Sequence, residues 1–210
     1  MKLNTKKTQY MIINFTDKYQ FNTRLELDGN LLEEVSKARL LGVHLDNKLS
    51  WQLNTTSIVQ RAYMRMKMLH KLHSFEVPVD DLICIYTLYI RSILESSAVV
   101  WHSSLTVGQE LEIERVQKVA LKIILKSQYT TYDQALKICN LVTLKQRREH
   151  LCLSFAKKCT KSERNRDMFP LKNQVRSTRK PEKYQVTFCH TDRLKNSAIP
   201  YMQKLLNANM

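Results

Sequence analysis

"RLLGVHLDNKLSWQ" (residues 39–52) changes character within fourteen letters. Leu41, Val43 and Leu45 alternate on one face, the period-2 signature of a half-buried strand. An Asp46-Asn47 turn follows, and Ser50-Trp51 opens a stretch with the period of a helix. These residues predict a junction between a small β region and a long helical one.

Upstream of the junction, "TQYMIINF" is a short apolar run suited to a strand, and "RLELDGNLLEEV" places Asp28-Gly29 between two apolar segments, a strong hairpin signal. Three or four small strands are expected there. Without a covering helix, such a set leaves its edges exposed.

Downstream, Ser50 or Asn54 can cap a helix running to about His73, with Ile58, Ala62, Met66, Leu69 and Leu72 on one face. Pro78 then introduces a second helix, about 79–100, apolar on nearly every side. Its charges (Arg91, Glu95) and interrupting serines mark it as a core helix rather than a membrane span. Thr106 with Gln109 forms a capping box for a third helix, 107–125, with Leu111, Val116, Val119, Ala120, Ile123 and Ile124 expected inside and Arg115, Lys118, Lys122 and Lys126 outside. Thr131 caps a short fourth helix. Thr143 with Gln146 repeats the capping box for a fifth, 144–159, with Leu151, Phe155 and Cys159 expected inward.

Residues 160–183 lack periodicity and are rich in charge, which reads as a flexible linker. The stretch "YQVTFCHTDRLKNSAIPYMQKLLN" recovers a strand-like alternation and ends in a short apolar segment able to dock back. The fold class expected is therefore α+β, predominantly α. A small antiparallel β region covers 1–49, a helical bundle 50–160, and a basic, partly disordered tail 161–210.

Composition agrees. Only 3 glycines and 4 prolines in 210 residues argue against a β-sandwich or a Gly-rich phosphate-binding fold. Lys and Arg number 34 against 19 Asp and Glu, a formal charge of +15 with a pI near 9.7. An excess of that size repels itself unless a polyanion neutralises it. It is concentrated toward the C-terminus, with 8 basic against 6 acidic side chains in 1–49, 15 against 9 in 50–160, and 11 against 4 in 161–210. Five cysteines, with no C-x-x-C pair, fit reduced thiols inside a cell.

No catalytic constellation is legible. Asp80-Asp81, beside Pro78, reads as first-turn acids facing a helix dipole rather than a metal site. His70 and His73 stand at i, i+3, yet no third ligand lies nearby in sequence, so no metal is expected. No Walker loop, nucleophile elbow or dinucleotide fingerprint occurs. What remains is basic helix faces interleaved with Trp51, Tyr63, Tyr129 and Tyr132, a composition suited to phosphate backbones. The expected phosphate contacts are Lys118, Lys122, Lys126, Arg147 and Arg148, with Arg61 and Arg65 as weaker candidates.

The order and spacing of "KLNTKKTQYMIINF", "RLLGVHLDNKLSWQ", "IYTLYIRSILESSAVVW", "IERVQKVALKIIL" and "RLKNSAIPYMQKLLN" resemble the C-terminal part of reverse transcriptases from non-LTR retrotransposons, the jockey-like LINE group. The likeness covers almost the whole chain. It implies that the L-N-x-x-K-T segment closes the palm, that L-G-V-x-L-D belongs to the hairpin gripping the primer terminus, and that the following helices form the thumb. Leu41, Gly42 and Val43 would then lie near a primer end, where Gly42 lets the backbone approach nucleic acid.

The partners implied are RNA and DNA as a template-primer duplex, with no membrane, and the location by analogy is intracellular, in the nucleus. The family's metal-binding acids, including the Tyr/Phe-x-Asp-Asp turn, belong upstream of residue 1, and nothing here matches them. The chain as it stands is thus expected to be a non-catalytic fragment of an RNA-directed DNA polymerase, without cofactor, Mg2+ belonging only to the intact parent. Met1 is expected to be an internal methionine promoted to a start. Two alternatives stay open: a complete polymerase, if the transcript continues upstream, and a host-retained helical module binding RNA or protein, or a relic that does not fold.

Overall fold

Positive backbone φ angles shape the N-terminal residues of the computed structural model, which describes residues 4–16, 21, 24–172 and 183–209. The chain divides into two units, Met1–Ser57 and Ile58–Met210. In the first, β1 (Gln9–Tyr10) pairs with β4 (Glu33–Glu34), while β2 (Glu26–Leu27) and β3 (Asn30–Leu31) form a hairpin. Asp28 and Gly29 close that hairpin with φ of 50° and 72°, the backbone a two-residue turn demands. The β1–β4 pair is parallel, so the region expected to be antiparallel is so in two of the three pairs among the described residues.

The strand expected through Leu41, Val43 and Leu45 is instead a second hairpin, β5 (Lys37–Leu40) and β6 (Val43–Asp46). Leu41 and Gly42 are its turn, with φ of 48° and 87°. Reversal at this point carries Leu41 off the Val43/Leu45 face and leaves it 95% exposed. Beyond β6, the Asp46 carboxylate accepts from the Lys48 and Ser50 backbone N–H groups (2.9 and 3.1 Å) and from the Ser50 hydroxyl (2.7 Å). Ser50 Oγ in turn accepts from the Gln52 N–H at 3.4 Å, at the start of α1 (Gln52–Ser74). Asn54, the other expected cap, lies within the helix and accepts from the His44 N–H instead (3.3 Å).

The second unit is helical. Within it, α1 buries Ile58, Ala62, Met66 and Leu69, as their spacing predicts. After α2 (Val79–Ile85) the chain widens into a π-helix, Tyr86–Arg91, then runs through α3 (Ser92–Glu95), α4 (Ala98–Trp101), α5 (Val107–Leu125), α6 (Tyr132–Ile138), α7 (Leu144–Lys161), α8 (Asp192–Lys195) and α9 (Ala198–Ala208). Asp80 and Asp81 occupy the first turn of α2. α5 packs on α2, α6 and α7, and α7 on α3, α4 and α9.

The continuous helix expected over 79–100 is therefore broken, and two features of its sequence explain how. Leu82, Tyr86, Ile90 and Leu94 recur every four residues. At about 100° per residue such a row drifts by about 40° per step around an α-helix. The wider i→i+5 winding of Tyr86–Arg91 takes up part of that drift, so all four side chains are fully buried. Ser96-Ser97 then ends the run, because serine competes for backbone hydrogen bonds. Ser97 turns left-handed (φ 53°), and the Ser96 carbonyl accepts from Trp101 Nε1 at 3.1 Å. By length and composition Val79–Ser104 would suffice to cross a membrane. One side of it is core, whereas Leu88, Tyr89 and Val100 stay exposed.

Both capping boxes form as read. The Gln109 and Gln146 N–H groups donate to the hydroxyls of Thr106 and Thr143 (3.3 and 3.2 Å), and each glutamine side chain accepts from the N–H of its threonine (2.9 and 3.2 Å). Thr131 caps α6. The described part of the expected linker is ordered instead. α7 extends to Lys161, and Phe169 is buried with Cys152, Ala156, Cys159, Met202 and Leu206 in a satellite core. Residues 173–182 lie outside the described residues. In place of the strand expected after Tyr184 there is one bridge, Leu171 to Tyr184, then α8 and α9, the latter docked on α7.

A leucine held left-handed costs about 1–2 kcal/mol, which asparagine largely escapes. Leu41→Asn is expected to raise amide-exchange protection across Lys37–Asp46 by about 5-fold, equivalent to about 1 kcal/mol.

Candidate nucleic-acid interface

α5 separates its charges from its core by helical periodicity. Ile113, Val116, Ala120, Leu121 and Ile124 are buried. Arg115, Lys118, Lys122 and Lys126 follow at steps of three, four and four, which keeps them on one side. Arg115, Lys122 and Lys126 are exposed and Lys118 is half-buried. None of the four makes an ion pair with a described residue. At 1.5 Å per residue, Lys118 to Lys126 spans about 12 Å.

Two tyrosines steer this ridge. The Lys118 ammonium lies 5.0 Å from the centre of the Tyr132 ring, and that of Lys122 lies 5.5 Å from Tyr129. Tyr132 is itself fixed by a polar chain through the interior. The Tyr86 hydroxyl donates to Gln117 Oε1 (2.6 Å), and Gln117 Nε2 donates to the Tyr132 hydroxyl (2.8 Å) and to the Val142 carbonyl (3.0 Å). Tyr132 donates onward to Glu114, whose Oε1 also accepts from the Leu144 N–H at 3.1 Å. Burial, then the bond to Glu114, pushes the Tyr132 phenol far above its ordinary pKa, so it stays a donor.

Beside the ridge, the C-terminal turns of α1 and α5 enclose a cleft of about 540 Å³ lined by His70, His73, Ser74, Val119, Lys122, Ile123 and Lys126. No carboxylate lines it. His73 Nδ1 is buried and has no hydrogen-bond partner among the described residues. His70 and His73 thus share a cleft wall, as their spacing allows. Among the described residues no group of three or more His, Cys, Asp or Glu side chains is placed to hold a metal.

Two expected phosphate contacts are used elsewhere. Arg147 grips the Glu95 carboxylate with Nε and Nη2 (3.0 and 3.1 Å), and this pairing raises its pKa. Arg148 is fully buried, its Nε donating to His102 Nδ1 at 3.2 Å and its guanidinium 5.9 Å from the Trp101 ring. Both of its Nη atoms lack partners among the described residues. The reason is the phase of α7, whose inward row is Leu144, Arg148, Cys152, Ala156 and Cys159. Phe155, expected inside, is 41% exposed, and Leu111 of α5 is 57% exposed.

Arg65 is exposed, donates from Nη1 to the Tyr89 carbonyl (2.6 Å) and covers the Tyr89 ring at 4.8 Å, while Arg61 is half-buried. In the other unit, Leu41 and Gly42 form the hairpin tip, and Val43 is half-buried at the start of β6. Of the expected cations, the fold therefore brings Lys118, Lys122 and Lys126 together and withdraws Arg147 and Arg148. The histidines and Ser74 of the cleft were not among the expected contacts, since nothing in sequence links them to α5.

Burial, then Arg148, then Lys145 lower the His102 pKa to about 3. The unfolded chain takes up this proton near pH 6.5, well before the native state does. Its contribution to stability is thus fully present above pH 6.5 and falls by about 1.4 kcal/mol per unit between there and pH 3. Acid titration of the denaturation midpoint checks this, and His102→Gln is expected to flatten the slope. For Arg148, truncation to alanine is expected to cost about 2–5 kcal/mol through the cavity it leaves, whereas Arg148→Met, which fills the site without an unpartnered charge, is expected to be neutral or stabilising in urea denaturation. No protein family, curated protein or solved structure matches this chain.

Proposed function

We propose that this chain binds nucleic acid through the α5 ridge, as the palm end and thumb of a non-LTR reverse transcriptase, and does not itself polymerise. The observation that carries the reading is the row Arg115, Lys118, Lys122 and Lys126, cationic and without acidic partners among the described residues. Duplex DNA carries one negative charge per about 1.7 Å of axis with both strands counted, so a length of about 12 Å, that of the ridge, holds roughly seven, shared between the strands. The ammoniums held above Tyr129 and Tyr132 lose little further side-chain entropy on meeting phosphate.

The resemblance to the primer-gripping hairpin gains support from Leu41. A leucine projecting from a hairpin tip on a left-handed backbone is strained, and such outliers gather at functional sites. In this reading Leu41, Gly42 and Val43 meet the primer end and Mg2+ belongs to the upstream palm of the parent polymerase. The nucleus is the corresponding location.

Binding of a labelled RNA–DNA duplex across a salt series tests the proposal. Replacing Lys118, Lys122 and Lys126 together by glutamine is expected to reduce the slope of log Kobs against log[salt] by about 3. Wild-type protein with no salt-dependent affinity, or one that extends a primer unaided, refutes it.

A further inference from the structure

The α1–α5 cleft combines features that a backbone-binding ridge does not require. Its α1 wall carries two imidazoles, its floor is Val119 and Ile123, and Lys122 and Lys126 stand on the α5 side. A volume of about 540 Å³ lies in the range of small-ligand sites, and an apolar floor with a few convergent polar groups is their usual composition. His73 lines the cleft, while its Nδ1 is shielded from water and without a partner among the described residues.

The electrostatic sign follows from magnitudes. Two helix C-termini meet here, each equivalent to about half a negative charge. Several of their carbonyls are already used, since Lys71 O accepts from the Ser74 hydroxyl (2.7 Å), Leu72 O from the Phe75 N–H (3.1 Å), and Lys122 O from the Lys126 N–H. Against at most about one negative charge stand two full ammonium charges, so the cleft remains cationic. Lys126 is placed there by a left-handed residue at the end of α5 (φ 44°), a conformation that costs a non-glycine residue about 1 kcal/mol or more.

We propose that this cleft seats one nucleotide of a single strand, its base against His70, His73 and the Val119–Ile123 floor, and its phosphate on Lys122 and Lys126. The proposal rests on the nucleic-acid reading above and specifies which part of the polymer enters. Imidazole rings and aliphatic side chains give a base a stacking surface without reading its sequence, as in single-strand sites generally. Duplex cannot enter, because its bases are stacked and paired, so the cleft acts on an unpaired end beside the ridge.

The test uses the full chain and three probes, namely adenosine 5′-monophosphate, adenosine and inorganic phosphate, with a short single strand and a duplex in parallel. Adenosine 5′-monophosphate is expected to bind more tightly than either fragment and to shift the His70 and His73 ring resonances. Val119→Trp, which fills the cleft and leaves every charge in place, is expected to weaken nucleotide and single-strand binding about 10-fold and to leave duplex binding unchanged. His70→Ala, at an exposed position that cannot threaten folding, is expected to weaken the same two probes about 5-fold.

Phosphate alone binding as tightly as the nucleotide, or nucleotide affinity unchanged in both variants, overturns the proposal while leaving duplex binding by the ridge intact. Loss of duplex binding alone, with the nucleotide still seated at His70, removes the ridge reading and retains the cleft.

Discussion

The side-chain amide of Gln117 is the point on which the helical unit depends. It is fully buried, and both of its ends are used, by Tyr86 on one side and by Tyr132 and the Val142 carbonyl on the other. Glu114 completes the chain by accepting from Tyr132 and from the first N–H of α7. A buried polar group left without its partner costs about 1–3 kcal/mol, so only one arrangement of these elements satisfies all members at once. The π-helix, α5, α6 and α7 are thereby locked in a single register. The apolar contacts around them hold the unit together, and the polar chain decides how. Tyr132 owes its position to this chain, and so, through the ring beneath its ammonium, does Lys118.

The cationic side chains of this unit divide according to what surrounds them. Arg147 and Lys145 are matched to Glu95 and Glu110. Arg148 is an interior charge, its pKa lowered by burial and opposed by the carboxylates of Glu114, Glu110 and Glu95. Such a group is weak evidence for stability, and His102 beside it is held neutral by its own burial first and by the charge of Arg148 second. The α5 row is unmatched among the described residues and, apart from the half-buried Lys118, exposed. That difference in environment, rather than the total charge of the chain, is what supports a polyanion-binding role for α5 and excludes one for Arg148.

Local signals were legible in the sequence. The two Thr-x-x-Gln boxes, the Thr131 cap and the Asp28-Gly29 turn each depend on residues within four positions of one another, and each forms as read. The phase of α7 was not legible. Large apolar residues suggested a stripe through Leu151 and Phe155, but α9 fills its interface with Met202 and Leu206, and the smaller Cys152 and Ala156 allow that approach. Leu41 escaped because hydrophobic alternation says nothing about the sign of φ. The cleft escaped for a different reason, since its two walls lie about fifty residues apart in sequence and only packing joins them.

The π-helix sets a limit on how this sequence can drift. Because Tyr86–Arg91 winds more widely than its flanks, it holds Leu82 and Leu94 in phase across a stretch that ordinary winding would put out of step. The wider winding holds one extra residue over nearly the same rotation, so deleting one codon there would restore regular winding and leave everything downstream close to its present phase relative to α2. An insertion or deletion in the regularly wound flanks would instead turn one half of the apolar row to solvent, because nothing there absorbs the change of phase. Length is thus constrained in the flanks as tightly as residue identity, and the π-helix is where a lineage carrying the fold could lose one residue and keep its core.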